Sequence, residues 1–201
     1  MVAAIRPLRV EELAEVLAID FDPTAAPKLV KDWRPQDPED SEKTLLSACS
    51  TLISIIDDGG AKIVQFSHFT VKEFLTSNRL ETLELGNLCR YYIPLELAHT
   101  TLVQACLAIL LQLVEKVDKE QLATFPLAFY AAQNWVDHAR FEVTSQIQDS
   151  MEHLFNPKEP SFRAWIWIHD LDKGDKRLMD ILDEHPPLPK TTPLYGVLWL
   201  Q

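Results

Sequence analysis

LLSACSTLISIIDDGGAKIVQFSHFTVKEFL, residues Leu45–Leu75, is the stretch whose reading decides the fold. Leu52–Ile56 and Lys62–Phe66 are two short β-branched, apolar runs, and Asp57-Asp58-Gly59-Gly60 between them tolerates positive φ. That pattern predicts a β-hairpin. Leu45–Cys49 reads as the end of a helix before it, and a new helix follows it. Thr70 with Glu73 fits a capping box at that second helix start, and Phe69 with Phe74 fits a hydrophobic staple. Helix, two-stranded wing and helix together predict half of a winged-helix domain.

Working upstream, Asp37-Pro38-Glu39-Asp40 opens the helix that ends at Cys49, with a capping acid, an early proline and acids near the positive end of the dipole. Asp20–Pro38 holds four prolines in a polar run and predicts a surface loop, with Trp33 pinned on the core. Arg6–Val10 is a short extended lead-in to a helix over Glu11–Ile19, with Leu13, Ala14, Val16 and Leu17 inside and Glu11, Glu12 and Glu15 outside. Downstream of a linker over Arg79–Leu88 the pattern turns helical: Pro94–Val117, Phe125–Ala139, Phe141–Phe155 and Ser161–His169. Trp135, Trp165 and Trp167 are its expected large core fillers.

RPLRVEELAEVLAIDF (6–21), ACSTLISIID (48–57) and VQFSHFTVKEFLTS (64–77) resemble the winged-helix segment that follows the NACHT ATPase module in fungal STAND-type, NLR-like signalling proteins, often with ankyrin repeats. The same segment is described as the winged helix of GPI inositol-deacylase-like proteins. The resemblance implies a mainly α fold: an incomplete winged helix with a two-stranded β-wing over 1–85, its first helix cut short, then a small helical layer over 90–170. Residues 171–201 read as a charged, proline-rich linker; Thr192-Pro193-Leu194-Tyr195 resembles the TPLH opening of an ankyrin repeat, with Tyr195 in place of His. A repeat needs about 33 residues and several must stack, so no ankyrin array is expected before Gln201.

The resemblance singles out His68. FSHFTVKEFL (66–75) is similar to the MHD-like motif of NLR winged helices, whose histidine approaches the β-phosphate of bound ADP. It implies for His68 an ADP-phosphate sensor role that operates only with an upstream NACHT module; the acid usual after that histidine is absent, since Phe69 stands there. The plainer reading is a structural histidine bonded to a neighbouring turn. By itself the chain is expected to hold no cofactor, because one imidazole cannot cradle a polyphosphate.

The remaining chemistry is excluded residue by residue. There is no GxxxxGK[ST] loop, and Gly occurs only 5 times, so phosphoryl transfer has no cradle. Ser67 and His68 are adjacent on a strand and point to opposite faces, and no GxSxG elbow exists. Cys49, Cys89 and Cys106 have no metal-ligand spacing and read as buried thiols of a reducing compartment. His138 with Asp137, and His169 with Asp170, read as solvated helix ends.

Lys+Arg 19 against Asp+Glu 30 gives a net charge of −11 with no basic patch, which disfavours nucleic acid. Leu95–Val114 is apolar, but Glu96, His99, Gln104 and Gln112 are too costly in hydrocarbon, so no membrane span is expected. With these exclusions, the resemblance implies a cytoplasmic, non-catalytic segment that couples the nucleotide state of an upstream NACHT module to sensor repeats, in nonself-recognition or cell-death signalling. A stand-alone adaptor binding protein through a Trp/Tyr-rich helical surface is the second reading, and a nucleic-acid-binding winged helix the third.

Overall fold

The computed structural model describes residues 1–22, 25–33, 37–49, 51–77, 80, 89–113, 119–141 and 147–169. The wing is strands β4 (Ile53–Asp58) and β5 (Ala61–Phe66), antiparallel in register from Ile53↔Phe66 to Asp58↔Ala61. Gly59 at φ +63° and Gly60 at φ +92° form a two-residue type I′ turn, whose twist matches that of the strands. Asp57 Oδ1 accepts the Gly60 N–H at 2.9 Å and closes it. The lead-in segment is more than a lead-in: Leu8–Arg9 is strand β1, pairing Leu8↔Val64 and Arg9↔Ile63, so the sheet has three strands in the order β1-β5-β4. Leu8, Ile53 and Val64 bury one face of it.

Helix α1 (Val10–Leu17) departs from its expected orientation. Leu17 is exposed, whereas Glu12 (2 % exposed) and Glu15 (1 %) are buried. Their partners in the lead-in segment and in the helical layer supply the reason. Glu12 holds the Arg6 guanidinium through both carboxylate oxygens (2.6 and 2.8 Å) and accepts the Arg9 N–H (2.8 Å), while Glu15 accepts the Leu127 N–H at 2.7 Å across 112 residues. Buried carboxylates are tolerated when paired in this way.

Beyond α1, the expected loop holds a small hairpin of β2 (Ile19–Asp20) and β3 (Lys28–Leu29), and Trp33 is exposed, not pinned. Among the described residues nothing covers its ring closely enough to bury it. Helix α2 (Pro38–Cys49) starts as expected, with Asp37 Oδ1 accepting the Glu39 N–H at 3.0 Å. Helix α3 (Phe69–Leu75) follows the wing.

The helical layer comprises α4 (Leu95–Leu110), α5 (Lys119–Thr124), α6 (Ala128–Ala139), α7 (Gln148–Leu154) and α8 (Pro160–Ile168). Helix α4 packs most extensively on α6. Trp135 and Trp165 are fully buried at a centroid distance of 5.5 Å, with Phe155 5.7 Å from both, in tilted and edge-on geometry. Trp167 is only partly buried against this core. One apolar cluster runs from Leu8, Val10 and Leu13 through Val103, Cys106 and Tyr130 to Ile168, so the two layers share their interior. The expected boundary between them, at 85–90, falls largely on residues 81–88, outside the described residues, as do the expected linker and repeat start at 171–201.

Cys106 is buried as expected, and burial pushes its thiol well above the ordinary range; Cys49 and Cys89 are exposed. His138 is fully buried on the inner face of α6 and is no solvated helix end.

Candidate functional site

His68 lies between β5 and α3 and is the N-cap of α3. The helix begins before the predicted cap: Thr70 sits inside its first turn, and His68 Nδ1 accepts the Thr70 N–H at 3.3 Å, with Thr70 Oγ1 at 2.8 Å. An imidazole can cap because its unprotonated nitrogen is an acceptor, like the usual cap oxygen. That role fixes the neutral tautomer, placing the ring proton on Nε2 as the remaining donor of an exposed side chain. The capping bond fits the plainer reading of His68, and it also leaves Nε2–H available to an acceptor on another molecule.

The adjacent Ser67 does not bond the His68 ring. Ser67 Oγ donates to the Thr51 carbonyl at 3.1 Å, so its hydroxyl is engaged away from the His68 ring. Among the described residues, no group of three or more His, Cys, Asp or Glu could hold a metal ion. No described helix is long and apolar enough to cross a membrane.

What surrounds His68 is apolar surface. The predicted staple is not closed: Phe69 is 68 % exposed and Phe74 51 % exposed. The cap at His68 makes Phe69 the first helical residue, not the one before the cap, so the pair is out of staple register. Within α3 only Leu75 is buried. The His68 ring leans on Phe69 at 4.5 Å between centroids. After α3 the Ile93 N–H bonds the Leu75 carbonyl (2.8 Å), which brings the start of α4 alongside, with Tyr91, Leu95 and Leu97 exposed.

On α2, Glu39, Asp40 and Lys43 are exposed, while Ser41 is buried and donates back to the Asp37 carbonyl at 3.3 Å. Lys43 pairs with Asp40 at 3.3 Å, and Lys62 of the wing pairs with Glu42. The Trp/Tyr-rich surface expected for an adaptor is not a surface, because Tyr130, Trp135 and Trp165 are all in the core.

Sequence reasoning missed one polar constellation, His99, His138 and Tyr130, whose rings are linked by hydrogen bonds between α4 and α6. Its signal was present as histidines inside apolar helical runs, but only the packing brings positions 99 and 138 together.

Residues 1–84 match the family described as GPI inositol-deacylase, winged helix domain. The chain is 30 % identical over 177 residues to azaphilone pigments biosynthesis cluster protein L of Monascus ruber, an alignment covering 84 % of this chain and 36 % of that protein. It thus spans about a third of the length of that relative. No solved structure matches it. Residues 1–84 are thus similar to a winged helix domain of the GPI inositol-deacylase type, and a helical layer follows them.

Proposed function

We propose that this chain is a non-catalytic regulatory and interaction segment of a fungal NACHT-type signalling ATPase, and that α3 with the adjoining wing end is its contact with the nucleotide module. The observation that carries the reading is the exposure of Phe69 and Phe74 on α3, with the Phe69 ring against His68. Exposed large aromatic side chains are available for contact with another surface. His68 Nε2–H would reach the β-phosphate of ADP in the closed state, supplied from one side while the ATPase module cradles the rest. Exchange of ADP for ATP would bias the packing of this face, and the shared core would pass the change to the helical layer. The Monascus ruber relative supports a fungal setting, and its greater length leaves room for further modules.

A stand-alone adaptor is the second reading, supported by the exposure of further large apolar side chains, Tyr91, Leu95 and Leu97. Nucleic acid is disfavoured by the acidic exposure of α2 and by the pairing of Lys43 and Lys62 within the protein. Sequencing the full transcript tests the first reading: an in-frame phosphate-binding loop upstream of Met1 is expected. In the encoded protein His68→Ala should reduce co-purifying ADP. ATP or ester turnover by the purified chain itself, surviving removal of contaminants, would overturn the non-catalytic reading.

A further inference from the structure

The polar constellation between the two layers has a direction. Ile5 donates its backbone N–H to Tyr130 Oη at 3.2 Å, which leaves the phenol proton for His138 Nε2 at 2.8 Å. A neutral His138 that accepts at Nε2 carries its proton on Nδ1 and donates it to His99 Nδ1, also at 2.8 Å. His99 is then the tautomer protonated at Nε2; it is half-buried and stacks on exposed Phe141 with centroids 4.0 Å apart. Each nitrogen between the rings has one role, and the chain is satisfied only while both imidazoles are neutral. A proton added to His99 or His138 sets two N–H donors against each other, or drives a donor at the phenol.

We propose that the His99–His138–Tyr130 chain is an acid-releasable clasp holding the N-terminal segment, through Ile5, on the helical layer. The inference goes beyond the docking role and does not rest on it.

The groups facing the clasp do not compensate a proton there. From α4 come His99 itself and Cys106; from the N-terminal segment, the Met1 amino group and Arg6, whose guanidinium lies 5.0 Å from the Tyr130 ring centroid. From α1 comes Glu12, which is committed to Arg6. Lys72 of α3 acts on the Met1 amino group, and on α6 itself Asp137 pairs with Arg140. Burial first, then the field of His99, hold His138 down at about 4; burial also lowers His99 and pushes Tyr130 up to about 12.

The sign follows. A histidine whose folded value lies below its unfolded one stabilises fully above the unfolded value, 6.5, and that contribution is lost as pH falls toward about 4. The test is hydrogen exchange of the Ile5 amide in the whole chain, corrected for intrinsic exchange. One proton taken up on opening predicts a fall in protection of about 25-fold between about pH 7.5 and about pH 5. In His138→Gln, whose amide accepts from the phenol and donates to His99 without titrating, the fall should be clearly smaller than in the unmodified chain, the remainder coming from His99 and other groups lowered by burial.

Ring ¹⁵N shifts of the unmodified chain provide a readout that no variant can spoil: the proton is expected on Nδ1 of His138 and on Nε2 of His99 at neutral pH. PH-independent Ile5 protection, an equal fall in His138→Gln, or the opposite tautomer at His138 would each overturn the clasp.

Discussion

Helices α3 and α6 are both short, aromatic and amphipathic, and the molecule treats them in opposite ways. Helix α6 sends Tyr130 and Trp135 into a core shared with α8 and with α1: Tyr130 Oη bonds Ile5 and His138, the Ala132 carbonyl accepts Trp165 Nε1–H of α8 at 3.2 Å, and Trp135 Nε1 is buried without a partner among the described residues. Helix α3 buries Leu75 and leaves Phe69 and Phe74 outside. An aromatic side chain contributes stability only where something covers it. The difference therefore separates residues held for folding from residues available for contact.

Substitutions break or sharpen that contrast. The largest effect is expected from Trp165→Ala, which opens a cavity beside Trp135 and Phe155 and should cost about 3–5 kcal/mol by urea denaturation. Glu15→Ala comes next: it leaves the Leu127 N–H buried without its acceptor, a loss of about 1–3 kcal/mol that also loosens the start of α6. Gly60→Ala meets no atom within 4 Å, so only backbone strain at φ +92° remains, about 1 kcal/mol, seen as faster amide exchange in the wing. Smallest is the pair Phe69→Ser and Phe74→Ser, each expected within about 0.5 kcal/mol of the unmodified chain. Were these two to destabilise as much as Trp165→Ala, α3 would belong to the core and the contrast would be lost.

The parts of this fold that sequence makes legible are those set by neighbours along the chain. The Gly59-Gly60 turn, the Asp37 cap of α2 and the apolar run of α4 each depend on residues a few positions apart. What escaped depends on distant partners. Glu12 and Glu15 look like the outside of a helix until Arg6 and Leu127 are seen to satisfy them. Strand β1 is two residues long and shows no alternation; it exists because β5 offers an open edge. At the candidate site His68 was legible, but its capping role was not, because Thr70 with Glu73 is the commoner signature. The exposure of Phe69 and Phe74 was hidden by the same misplacement of the cap.

The division of labour between the two helices is open to one direct measurement: amide hydrogen exchange across the protein encoded by the full transcript, loaded with ADP and then with ATP. Residues 69–75 should be protected with ADP and lose that protection with ATP, while α6 stays unchanged, and His68→Ala should remove the nucleotide dependence. Exchange in α3 that is indifferent to nucleotide, or a response carried by α6 alone, would contradict the account.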